Sequence, residues 1–90
     1  MERLYNVVTS DGVNADSIGT SPRNALIHVI HAKCSSFGIK LSETEIRARV
    51  YGNKGVNKIS VPSSRELLCR VTDKSTGKNY SYVYMGKYIH

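Results

Sequence analysis

The stretch from Ser21 to Ile39 constrains this chain more than any other, because it carries both a helix start and a helix stop. Ser21 is a good N-cap, since its hydroxyl can accept from a free backbone N–H of the first turn. Pro22 suits the first helical position, where its missing N–H costs nothing. Gly38 stands where a left-handed residue ends a helix, and Ile39 is the usual hydrophobic partner of such a stop. At about 100° per residue, Ala25, Leu26, Ile27, Val29, Ile30, Ala32, Cys34 and Phe37 fall on one broad arc. Asn24, His28, His31 and Ser35 fall on the opposite arc. Residues 22–37 are therefore expected to form a helix that buries one wide face and shows both histidines to water. Lys33 falls inside the apolar arc, where its stem can lie on the core edge with the ammonium reaching out.

Strands are expected to cover that helix. Residues 3–10 contain the strand formers Leu4, Tyr5, Val7 and Val8 and end at Asp11-Gly12, a pair suited to a tight hairpin turn. Val13 to Ile18 then returns as a short strand, or stays a loop because Asn and Asp are poor strand formers. Beyond the helix, Ile46, Ala48 and Val50 alternate with Arg47, Arg49 and Tyr51. That is the pattern of a half-buried strand with a basic outer face. Ser42 with Glu45 three residues on is a capping-box pattern, so a short helical turn is the rival reading. Residues 52–58 read as a basic glycine loop and 58–61 as a short strand ended by Pro62. Leu67, Cys69 and Val71 alternate in the next strand, residues 73–78 read as a hairpin loop, and 80–85 form the last strand. The expected fold is α+β, with one helix on one face of a mostly antiparallel sheet of about four or five strands in the order β(β)αβββ.

Ninety residues suit a single domain, 1–90, with a modest core. A hydrophobic content of 40% with 22% charged residues excludes a disordered chain. No apolar run approaches the ~18 residues of a membrane span, and no basic-then-apolar leader is read, so a cytoplasmic location and no membrane partner are expected. Two cysteines cannot supply a disulfide framework. Cys34 and Cys69 both lie on apolar faces and read as small buried hydrophobes, with a disulfide between them the weaker alternative.

Charge is placed unevenly. Residues 1–45 hold four basic and five acidic residues, and residues 46–90 hold nine basic and two acidic, so the whole net charge of +6 comes from the second half. A segregated positive field attracts a polyanion or an acidic protein surface. Tyr80, Tyr82 and Tyr84 share one face of the last strand, and Ser81, Val83 and Met85 the other. If Val83 and Met85 face the helix, the tyrosines stand open, where rings beside guanidinium groups would stack bases and hold phosphates. With one Phe and no Trp in the chain, the tyrosines read equally well as its core filler. The aromatic consensus of the RNA-recognition motif is absent. On the open reading, the candidate contact residues are Arg47, Arg49, Tyr51, Lys54, Lys58, Arg70, Lys78, Tyr82, Tyr84 and Lys87. Arg47, Arg49 and Arg70 would hold phosphates, Tyr82 and Tyr84 would stack, and Lys54 and Lys58 would reach the backbone.

No constellation for catalysis stands out. His28 and His31 have a spacing that can share a metal, but two ligands do not make a site. Ser17, Gly19, Thr20 and Ser21 precede a helix N-terminus without a Walker-type spacing, so capping is their expected role. No cofactor is expected.

The run Asp16-Ser17 through Ser21-Pro22-Arg23-Asn24-Ala25-Leu26, with the strand–helix–strands layout and the lopsided charge, resembles small accessory proteins encoded by phages, including anti-CRISPR and host-takeover proteins. The resemblance covers the architecture of most of the chain, rests on no diagnostic motif and carries over no functional residue. It implies a protein that binds and blocks within a host cell. Three readings follow. The first is a non-enzymatic protein contacting nucleic acid or a nucleoprotein. The second is an inhibitor docking on an acidic surface of a host or phage enzyme. The third is a small nuclease or metal-dependent enzyme using His28 and His31. A homodimer through a free edge strand is compatible with the first two.

Overall fold

A computed structural model describes residues 2–52 and 66–86. They form β1 (Arg3–Thr9), β2 (Asn14–Gly19), α1 (Pro22–Ser36), α2 (Glu43–Arg47), β3 (Val50–Gly52), β4 (Glu66–Asp73) and β5 (Asn79–Met85). The strands make one antiparallel sheet in the order β2-β1-β4-β5-β3, with α1 packed on it. The expected α+β fold is the one observed. The strand expected at 58–61 lies outside the described residues.

The helix is set by its ends. Ser21 accepts from the N–H of Asn24 at 3.0 Å, and Pro22 opens the first turn. At the other end Gly38 takes φ 74°, which an L side chain rarely adopts, and Ile39 N donates to the Cys34 carbonyl at 2.9 Å. The buried arc is narrower than the sequence indicates. Leu26, Ile27, Ile30 and Cys34 are fully buried, but Ala32 is exposed and Phe37 is 55% exposed. Phe37 is the C-cap, beyond the last helical residue. Its ring lies 5.3 Å beneath the Lys33 ammonium.

The half-buried strand expected over Ile46–Tyr51 is corrected. Residues 43–47 are helical and only Val50–Gly52 are extended. The capping box decides it: Ser42 Oγ accepts from Glu45 N at 3.2 Å, and Glu45 Oε1 accepts from Ser42 N at 3.1 Å. Ile46 and Val50 are both buried. Their spacing of four satisfies a helical turn as well as an alternating strand.

Register assigns the two faces of the sheet. Leu67 pairs with Tyr84, Cys69 with Tyr82 and Val71 with Tyr80, while Val7 opposes Val71. These residues therefore share one face, and it is the face that joins Leu26, Ile27 and Ile30 in the core. Tyr84 is fully buried, and Tyr80 and Tyr82 are half-buried against the same cluster. The reading with tyrosines on the open face is thereby reversed, and they supply the bulk that Phe and Trp do not. Leu4, Ile18, Tyr51, Leu68, Arg70, Val83 and Met85 occupy the opposite face. Among the described residues no helix packs there.

Candidate interaction surface

The structure separates the candidate contact residues. Arg47 is exposed in the last turn of α2. Arg49 is half-buried, with its guanidinium acting on the hydroxyl of Tyr84, which also neighbours the Cys34 thiol. Burial and Cys34 push the Tyr84 phenol up, against the lowering effect of Arg49. Tyr82 lies 5.3 Å beneath Arg23, whose Nη1 donates to the Val50 carbonyl at 2.6 Å. Burial raises the Tyr82 phenol as well, opposed by Arg23. Lys78, on the β4–β5 turn, sits 5.4 Å over Tyr80. Lys54, Lys58 and Lys87 lie outside the described residues.

Tyr51 and Arg70 are the two that remain on the sheet face away from the helices. Tyr51 is 48% exposed beside Met85, which is 36% exposed. Tyr51 opposes Val83, which is fully buried, and Val83 opposes half-buried Leu68, so these three side chains form one row across β3, β5 and β4 with only its Tyr51 end exposed. Arg70 stands in the adjoining row, opposite Ser81 and Val8. Among the described residues no carboxylate pairs with Arg70 or Arg47. The ion pairs lie elsewhere: Arg3 with Asp73 at 2.9 Å, and Lys74 with Asp16 at 3.1 Å. Asp73 is buried, and it is held down at about 2 by the Ser75 hydroxyl and N–H and by Arg3. Asp16 is lowered by its hydrogen bond from Asn6 and by Lys74.

His28 is not simply solvated. Its Nδ1 is 2.9 Å from the Ile18 carbonyl, and because a carbonyl only accepts, that nitrogen carries the proton. Its Nε2 lies 3.9 Å from a Glu43 carboxylate oxygen. Among the described residues no three His, Cys, Asp or Glu side chains gather to hold a metal. Cys34 and Cys69 are both buried and free. Burial pushes the Cys69 thiol up to about 12 and raises Cys34 too. Ser17 and Ser21 are spent on structure, the first donating to the Ala25 carbonyl at 3.0 Å and the second capping α1.

Two roles had no signal in the sequence. Arg23 reaches a carbonyl 27 residues away and His28 one 10 residues away. Only the closed fold brings those backbones into range.

The geometry defines a two-layer α+β domain with one sheet face clothed by helices and a second carrying Tyr51, Arg70 and Met85. Comparison with protein-family models, with curated proteins and with solved structures gives no match to this chain. No helix among the described residues is long and apolar enough to cross a membrane.

Proposed function

We propose that the protein is a non-enzymatic binding protein that docks on an acidic protein surface through the sheet face opposite the helices. One observation carries this: Tyr51 and Met85 are exposed on that face, and Arg70 is exposed on the same face, opposite Ser81, with no carboxylate paired to it among the described residues. Tyr and Arg are the usual anchors of protein interfaces, because they combine a large apolar body with a polar tip. A chain of net charge +6 favours an acidic partner over a basic one. A blocking role, of the kind implied by the resemblance to phage-encoded accessory proteins, asks only that such a face be occupied.

Nucleic acid is the second reading, favoured by the nine basic residues of the second half. It loses Tyr82 and Tyr84 as stacking platforms, since both sit on the helix face. The test combines capture from nuclease-treated lysate with titration of mixed oligonucleotides at two salt concentrations. The protein reading expects a captured partner that is lost from the double variant Tyr51→Ala, Arg70→Glu and kept by Lys78→Glu. Oligonucleotide binding that falls steeply with salt and depends on Arg70 would replace it with the second reading. Capture indifferent to Tyr51 and Arg70 would remove this face from consideration.

A further inference from the structure

The other side of the molecule carries an unfilled strand position. β2 is an edge of the sheet. Thr9 N donates to the Val13 carbonyl at 2.9 Å, and the register continues through Val7 with Ala15 and Tyr5 with Ser17. In an antiparallel pair the bonded residues alternate. Val13, Ala15 and Ser17 thus turn their backbone groups toward β1, and Asn14, Asp16 and Ile18 turn theirs outward. His28 takes the Ile18 carbonyl. The outward N–H groups of Asn14, Asp16 and Ile18, and the carbonyls of Asn14 and Asp16, have no partner among the described residues.

Alongside this edge runs a groove of about 420 Å³ between β2 and α1. Val13, Ala15 and Ser17 line one wall, and Val29, Ala32 and Lys33 the other. Val29 and Ala32 belong to the apolar arc of α1, yet the sheet ends before covering them; Val29 is half-buried and Ala32 exposed. One more strand, at the usual spacing of ~4.8 Å, would bring alternate side chains onto them. Lys33 stands at this groove with its ammonium over the Phe37 ring and no carboxylate partner among the described residues. Asp16 is already engaged by Lys74 and Asn6.

We propose that an extended acidic peptide segment adds to the outer edge of β2, with small apolar side chains in the groove and a carboxylate against Lys33. Backbone hydrogen bonds would supply affinity, and the groove would choose the side chains. A second copy of this chain fits less well, because β2 paired with itself about its centre sets Asp16 opposite Asp16. This site is separate from the Tyr51–Arg70 face, so the two proposals fail independently.

The experiment selects displayed random peptides of twelve residues against the protein and measures the enriched ones by titration. Enrichment of acidic, alternating sequences is expected. Asp16→Pro removes an outward N–H while leaving the β1 ladder intact, as an edge position tolerates, and should weaken binding at least tenfold. Ala32→Arg should fill the groove with the same effect, and Lys33→Glu should turn the selected charge from acidic to basic. Because Ala32 and Lys33 lie outside the buried arc, those variants keep the test decisive if Asp16→Pro fails to fold. Absence of enrichment would overturn the proposal. So would selected peptides whose affinity ignores all three changes, or a wild-type dimer that Asp16→Pro makes monomeric.

Discussion

Gly19 closes β2 directly beneath the first turn of α1, and replacing it with alanine should push the two layers apart. A Cβ at this position would stand 2.7 Å from Ala25 N, 2.9 Å from Asn24 Oδ1 and 3.0 Å from Ala25 Cα. Two of those atoms are backbone, so no side-chain rotation relieves the overlap. Asn24 is also committed, since its Oδ1 accepts from Thr20 N at 3.0 Å. Overpacking of this kind costs ~1–3 kcal/mol. The stiffer unfolded chain returns ~0.4–1 kcal/mol. The net is a loss of about 1–2 kcal/mol. For a chain of this size each kcal/mol moves Tm by ~4–8 °C, so Gly19→Ala should melt roughly 4–16 °C lower. Gly52→Ala is the matched control: nothing lies within 4 Å of its Cβ, so the same chemical change should be neutral or slightly stabilising. Thermal and urea unfolding followed by circular dichroism measure both. Equal shifts for the two variants, or no loss at Gly19, would refute the reasoning from close approach.

Other expectations concern the core and its charges. Asp73 is held at about 2, below its ordinary 3.8. The stability it lends is present above the ordinary value and lost as pH falls from about 4 toward 2. In acid titrations of unfolding free energy, Asp73→Asn should flatten the curve across that window. Tyr84→Ala should cost ~3–5 kcal/mol, as for other buried aromatics, whereas exposed Tyr51→Ala should stay within about 0.5 kcal/mol. Comparable losses at the two sites would reverse the assigned faces. The cysteine thiols, both buried and both raised in pKa, should resist a thiol reagent at pH 8 in the native protein and react together on denaturation.

Much of the fold is local and therefore legible. Ser21-Pro22 and Gly38-Ile39 mark α1 because capping bonds span only a few residues. Asp11-Gly12 and the Asp73–Lys78 turn mark two hairpins for the same reason, with Gly12 and Gly77 at φ 98° and 78°. The α2 segment resists a reading by pattern, because Ile46 and Val50 obey both periods and only the Ser42–Glu45 bonds separate them. The faces of β5 resist it too. Alternation groups Tyr80, Tyr82 and Tyr84 but cannot say which side the helix takes; that depends on their pairing with Val71, Cys69 and Leu67. The candidate site was least legible. Whether an arginine is free depends on partners distant in sequence: Arg3 has Asp73, Arg23 has the Val50 carbonyl, and Arg70 has no such neighbour among the described residues.

Two bonds from one helix have a joint consequence. The imidazole of His28 grips the Ile18 carbonyl on one border of the sheet, and the guanidinium of Arg23 grips the Val50 carbonyl on the other. A fluctuation that lifts α1 away releases both carbonyls in the same event, adding one free acceptor to each border. The released species would be bivalent, able to recruit a neighbour on each side and grow into a filament. Self-association of this chain under mild destabilisation should thus track detachment of a single helix.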